Sequence, residues 1–528
     1  MDAVHLFELM IAMLFAVIAL HYVAHRLRLP PAVALILGGA ALAFVPGLPH
    51  VSLDPALVLV IFLPPLLMDG AWFIPLRHLR RHLIGILSLA IGAVAFTTVV
   101  VAVVTHALMP SLPWAACAAL GAIVSPPDAI AARAVLQRVH LPQRLSILLE
   151  GESLLNDATG LVLFRFAVAA VVTGTFSTAE ALGSFTLLAV GGAAVGAVVG
   201  AAWVSVVKRL RDEYLVTASS VLLCWAAYIV AEMLTVSGVI ATVVAGLICG
   251  WYQHVVFSAA IRLRGSSFWA VLIFLLEASV FMLIGSSLRD VIARGGGFVV
   301  VLEHMSVPIL WILLAMTLAR FAWIFACDGV IALRRKFGWR RFETMGWQAS
   351  TVLSWAGMRG VVTLAVALSV PEDLPGRDFI LVAAFAVILV TVLLQGTTLG
   401  LLIQRLRPPE AGAHVAPLNM SQAEAAMAQA QAKLVASRAY APDGTLIHPQ
   451  LLERYRLRAS ISEGYAGNEA QYQPRLQAHF DLVLEANAAG RAELLRLHRA
   501  GQVDDRVLHE LERDLDFEEL AALSAKAT

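Results

Sequence analysis

Up to about Leu406 the chain is a succession of long apolar runs separated by short polar stretches, and beyond Pro408 the apolar runs stop. A bilayer core about 30 Å thick is crossed by roughly 20 apolar residues in a helix. By that measure thirteen spans are predicted, near 4–24, 31–49, 54–75, 82–109, 114–137, 143–173, 183–208, 214–234, 237–254, 267–288, 301–333, 345–370 and 378–406. The first run has no basic stretch before it and no clear small-residue cleavage site after it. It reads as a retained membrane helix rather than a signal peptide.

The charges between the runs test the count independently. The loops after the odd-numbered spans hold twenty Lys and Arg, from Arg26 and Arg28 to Arg405 and Arg407. The opposite side holds only Arg289, Arg294 and Arg377. An asymmetry of this size is the positive-inside signature, and one miscounted span in the middle would scramble it. It predicts an outside N-terminus and a cytoplasmic tail. The expected organisation is a membrane domain over 1–407 and a helical cytoplasmic domain over 408–528. Helices are expected in that domain near 420–437, 447–459, 473–500 and 502–524, packing through positions such as Leu494, Leu497, Leu508 and Leu511.

Composition agrees with a membrane protein and removes other classes. The chain is 59% hydrophobic and only 14% charged, against about 25% charged in soluble domains. A net charge of +1 gives no nucleic-acid signature. Cys117, Cys224, Cys249 and Cys327 lie inside apolar runs without metal or disulfide spacing, and read as small core residues.

Ionisable groups at membrane depth are expensive and usually functional. The fifth span contains GAIVSPPDAIAA, where Pro126 and Pro127 remove two backbone donors and break the helix. Asp128 follows at once and is placed to neutralise the N-terminus of the half-helix expected to resume there. The twelfth span contains SWAGMRGVVTLAV, with Gly357 and Gly360 flanking Arg359. Paired interruptions in corresponding places are the mark of a transport site built from inverted repeats, here spans one to six and eight to thirteen. Two ordinary kinks are the plain alternative, but kinks leave the charges unexplained. In the sixth span, LLEGESLLNDATGLVLFRFA, Ser153 and Asp157 share one helix face. Glu152 and Asn156 form the adjacent stripe, and small residues there permit close approach of another helix. A hydroxyl, an amide oxygen and a carboxylate together suit a hard cation. Asp69, in LPPLLMDGAWF, is a further candidate carboxylate or else a helix-end acid near the interface. Arg165, Glu232 and Arg320 read as members of structural pairs.

These residues together resemble the monovalent cation:proton antiporter family 1, the bacterial NhaP-like Na⁺/H⁺ exchangers. The GES-xx-ND pattern, the Arg359 segment and the thirteen spans carry the likeness, and the segment RAELLRLHRAGQVDDRVLHELERDLDFEEL extends it into the tail. The resemblance implies an all-α polytopic membrane protein of two inverted six-helix repeats with two broken crossing helices. It implies Asp157 as the shared cation and proton carrier, with Na⁺ held by Asp157, Ser153 and Asp69. It implies a buried ion pair between Glu152 and Arg359, and an accessory acid at Glu277. It also implies a homodimer in the bacterial plasma membrane, with no cofactor beyond the transported Na⁺ and H⁺. One position departs from the family pattern. The broken helix usually reads Thr-Asp-Pro, whereas here it is Pro127-Asp128-Ala129. The threonine hydroxyl is absent, leaving the Pro127 carbonyl to serve the ion there.

A carboxylate that holds either a cation or a proton couples the two fluxes by competition alone. In relatives with a second aspartate beside the carrier an extra proton is carried. The uncharged Asn156 therefore points to one-for-one, electroneutral exchange, and its amide also suits a hydrogen bond between the broken helices. A cation channel would show a repeated filter loop, which is missing. An intramembrane aspartyl protease would need a GxGD motif, which is missing too.

Overall fold

The structure, a computed structural model, describes residues 3–27, 29–45, 55–74, 76–128, 141–174, 178–210, 212–337, 344–409, 418–467 and 469–527. The expected continuation of the fifth span past Asp128, with Ala129, Arg133 and Arg138, lies outside these residues. So do Arg28, His140, Arg211, Arg340 and Arg341. The described residues are helical apart from loops and one isolated bridge, Tyr440 to Leu446. The chain divides into two compact units, Met1–Gly412 and Ala413–Thr528.

In the first unit, eight helical segments among the described residues are long and apolar enough to cross a membrane. They are Leu79–Leu108, Gln143–Thr173, Gly183–Val207, Glu213–Met233, Gly238–Val256, Ala259–Arg294, Phe298–Lys336 and Arg377–Leu406. Shorter apolar helices stand at Ile11–Leu27, Pro31–Ala43, Leu57–Phe73 and Trp114–Val124. Large apolar side chains such as Phe15, Val190, Val255 and Val299 face outward. On a water-exposed surface that would be a liability; against hydrocarbon it matches the solvent.

Two places depart from continuous α-helix in the way the sequence dictates. The Trp114–Val124 helix stops just before Pro126 and Pro127, which have no N–H to continue it. The twelfth predicted span is two short helices, Trp347–Trp355 and Val361–Leu368, separated by Ala356–Gly360. Its first half starts from Gly346 at φ +82°, a left-handed conformation that favours glycine. Small residues bring backbones together elsewhere. Gly39 and Gly285 let the Pro31–Ala43 and Ala259–Ser286 helices meet, and Gly192, Gly196 and Gly200 seat the Thr178–Val207 helix on Gly238–Val256.

The second unit contains Met420–Arg438, Pro449–Gly467, Glu469–Arg499 and Asp505–Ala527. Asn419 and Gln422 form a reciprocal capping box at its start. The last two helices pair as a hairpin, with Arg491 reaching Asp516 at 2.7 Å and Glu519 at 2.8 Å. Those two carboxylates hold the Arg491 guanidinium above its ordinary pKa.

Candidate functional site

A helix that stops inside an apolar domain leaves carbonyls at one end and N–H groups at the other without partners. The two interruptions solve this problem for each other. Arg359, from the second break, donates from Nε to the Val124 carbonyl at 2.7 Å and from Nη2 to the Ser125 carbonyl at 3.2 Å. It also reaches the Gly357 carbonyl from Nη1. Its guanidinium thus caps the C-terminus of the Trp114–Val124 helix, where a cation is favoured by the helix dipole. In return, Asp128 accepts from the Val361 N–H at 3.2 Å and caps the N-terminus of the Val361–Leu368 helix. The Asp128 N–H donates to the Met358 carbonyl at 2.7 Å, and the Arg359 N–H to Thr391 Oγ1 at 3.1 Å. Gly360 has to be glycine here, because a Cβ at that position would run into the Asp128 carboxylate.

The acid at the first break therefore serves the other broken helix. The half-helix it was expected to cap lies outside the described residues.

The helix Ser306–Lys336 holds the remaining half-helix at both ends. Arg320 donates from Nη2 to the Leu353 carbonyl at 3.2 Å, near the C-terminus of Trp347–Trp355. Two turns on, Asp328 accepts from the N–H groups of Met345 at 2.7 Å and Gly346 at 3.2 Å, at its N-terminus. Eight residues of helix span about 12 Å and the nine-residue half-helix about 13.5 Å, so one straight helix can grip both ends.

The Glu152–Arg359 pair is corrected by this geometry. Glu152 takes Arg320 instead, with Nη1 to Oε1 at 2.5 Å and Nη2 to Oε2 at 2.8 Å. The two side chains are 1% and 4% exposed. A planar fork facing a carboxylate is the strongest form of ion pair. The donors of Arg359 are turned to carbonyls. The sequence reading placed Arg320 among structural pairs without finding its partner; its mid-span position was the available signal. Arg165 and Glu232, also read as structural, approach at 3.6 Å on a half-exposed surface.

Asn156 is fully buried and donates to the Pro127 carbonyl at 2.6 Å. This ties the Gln143–Thr173 helix to the first break. Its Oδ1 has no hydrogen-bond partner among the described residues. Gly160 lets the same helix close onto Pro126. Asp157 is 8% exposed and accepts no hydrogen bond from the described residues. Ser153 and Asp69 are half-buried and make polar or electrostatic contacts of their own. The helix bearing Asp69, Pro55–Phe73, packs on both Gln143–Thr173 and Val361–Leu368. Glu277 is half-buried on Ala259–Ser286, which packs on Pro31–Ala43 and Pro55–Phe73.

Among the described residues no group of three or more His, Cys, Asp or Glu gathers as a metal site. The oxygens at the crossing are mixed: the Asp157 carboxylate and Asn156 Oδ1, neither with a hydrogen bond from the described residues, the Asp128 carboxylate, and the carbonyls of an unwound segment. Oxygen groups of these kinds are ligands for hard cations.

The family model for the sodium/hydrogen exchanger, transmembrane, matches residues 10–405. An uncharacterized Na(+)/H(+) exchanger of Mycobacterium tuberculosis is 32% identical over 527 residues, covering 97% of this chain and 95% of the relative. The sodium, potassium, lithium and rubidium/H(+) antiporter of Bacillus pumilus is 35% identical over 394 residues, 71% of this chain and 58% of that protein. In fold, the sodium proton antiporter MjNhaP1 from Methanocaldococcus jannaschii matches with TM-score 0.61 at 20% identity, over 77% of this chain and 98% of that one.

Proposed function

The chain belongs to the sodium/hydrogen exchanger family, and on that premise we propose that it exchanges Na⁺ for H⁺ one for one, with Asp157 as the shared carrier. The observation that supports this reading is the state of the Asp157 carboxylate. It is buried beside two broken helices and no described residue donates a hydrogen bond to it. A carboxylate in that setting is stabilised by a proton or by a cation. The two compete for one pair of oxygens, so each excludes the other and the fluxes are coupled.

Ser153, Asp69, Asn156 and the Pro127 carbonyl complete the ion's oxygen shell in this reading, and Glu277 is an accessory acid. The thirteen-helix, inverted-repeat architecture and the homodimer follow the family resemblance. The basic loops favour a cytoplasmic tail and an outside N-terminus. Li⁺ and K⁺ are alternative cargo. The Bacillus pumilus relative, whose name includes potassium and lithium, is the observation that keeps them in view.

The decisive experiment is Asp157→Asn in proteoliposomes. The variant should insert and fold, yet show no Na⁺-dependent proton flux above empty liposomes. Flux at the parent rate would end the assignment of the carrier.

A further inference from the structure

Away from the crossing, the ends of several helices line a partly open cleft. Trp72, Phe257 and Trp269 form its apolar side, and Thr217, Gln253 and Arg262 lie on its polar side. Each contributing helix starts or stops nearby: Pro55–Phe73 ends there, Glu213–Met233 begins, and Gly238–Val256 gives way to Ala259–Ser286. In a membrane protein, a level where helices end among Trp, Tyr and basic residues is the headgroup interface. Tyr214 and Tyr252 sit at this level too, with Arg264 over the first ring at 5.7 Å and Lys208 over the second at 5.5 Å.

The polar groups of the cleft are unequally used. The Trp72 indole N–H donates to Gln253 Oε1 at 2.9 Å, which orients the amide and leaves its NH₂ without a partner among the described residues. Arg262 donates from Nη1 to the Phe257 carbonyl at 2.5 Å, and no described residue accepts from its other guanidinium N–H groups. The Trp269 indole is already satisfied by Ser220 Oγ at 2.9 Å. The nearby acids are engaged: Glu213 pairs with Arg264, and Asp212 Oδ1 accepts from the Leu215 N–H at 2.9 Å. What remains is a set of unused donors with a positive charge, in a cleft also lined by Phe73 and Phe257. A ligand that fits has an anionic, acceptor-rich head and an apolar body.

We propose that this cleft is a site for an anionic membrane phospholipid. Its phosphate lies on Arg262 and the Gln253 amide, and its upper acyl chain lies against the exposed face of Phe73 and the half-buried Phe257. Basic pockets between membrane helices recognise such headgroups. The proposal needs the chain in a bilayer but not the exchange chemistry, so it stands or falls separately from the carrier assignment.

The test is native mass spectrometry of the full chain with equimolar phosphatidylglycerol and phosphatidylcholine, with thermal melts in the same detergent. The parent should retain phosphatidylglycerol over phosphatidylcholine by about tenfold, the scale of one charge-assisted contact, and melt higher with it. The Arg262→Gln/Gln253→Leu double variant should bind the two lipids nearly equally. Arg262→Lys should keep most of the preference, which separates lost recognition from a misfolded chain. Equal retention of both lipids by the parent, or an undiminished preference in the double variant, overturns the proposal. So does stabilisation by inorganic phosphate alone, which would make the site one for a soluble anion.

Discussion

The corrected ion pair makes a quantitative prediction about the membrane unit. Glu152 and Arg320 are joined by two charge-assisted hydrogen bonds and are almost wholly buried. Replacing one partner leaves the other as an uncompensated charge, at a cost of about 3–5 kcal/mol. Losing Arg320 also deprives the Leu353 carbonyl of its donor, which adds roughly 1–3 kcal/mol. Glu152→Gln should therefore destabilise strongly, and Arg320→Gln at least as strongly. The Glu152→Gln/Arg320→Gln double variant leaves neither charge. Its destabilisation should fall short of the sum of the singles by about 2–3 kcal/mol, near the upper end of measured couplings. Arg320→Lys is a useful control, because an ammonium keeps the charge but cannot form the fork. The same cycle between Glu152 and Arg359 should couple weakly, by about 1 kcal/mol or less, since Arg359 gives its donors to carbonyls. Denaturation of the purified variants in detergent measures all of these. A Glu152–Arg359 coupling larger than the Glu152–Arg320 coupling would refute the reasoning.

Other substitutions test the rest of the crossing. Gly360→Ala should push the Asp128 carboxylate off the Val361 N–H. Overpacking of this kind costs about 1–3 kcal/mol, and it should lower the melting midpoint and the exchange rate together. Asp328→Ala removes the acceptor of two N–H groups at the start of Trp347–Trp355. Loss of a cap costs about 0.5–2 kcal/mol; Asp328→Asn should recover part of it, and equal melts for both variants would count against the cap. Exchange in sealed vesicles should follow the Na⁺ and pH gradients and ignore an imposed K⁺/valinomycin potential. A voltage-dependent rate would overturn the one-for-one stoichiometry and direct attention to Asp69.

Much of the helical framework was legible because burial in a bilayer writes itself into length and hydropathy. The break at Ala356–Gly360 was legible for a local reason, since glycines around a charged residue in mid-span cannot continue an apolar helix undisturbed. The stop before Pro126 was legible from the missing N–H groups. The partner of Glu152 was not. Two arginines, Arg320 and Arg359, both lie deep in apolar spans, and nothing along the chain says which one meets the glutamate. That choice depends on where the Leu353, Val124 and Ser125 carbonyls end up, which is a property of crossing helices. The bond between Asp128 and Val361 failed to show for the same reason. Read along the sequence, an acid after two prolines belongs to its own following helix. In space it reaches Val361, more than two hundred residues away.

This distribution of partners bears on which group can carry the ion. Glu152 is neutralised by Arg320, and Arg359 is committed to the end of the first broken helix. Asp128 and Asp328 hold helix N-termini, where protonation would surrender a favourable interaction with the dipole. Each of these charges is tied to a helix end or an ion pair, so loading it with a proton would disturb the crossing itself. Asp157 has no such tie among the described residues, yet it sits on the helix that Asn156 pins to the same break. A proton or a cation can therefore come and go at Asp157 without dismantling a cap. In the proposed cycle the site is therefore loaded with one or the other. That is what coupling demands: the unloaded carrier must be the rare state, because its crossing the membrane empty would leak one gradient without using the other.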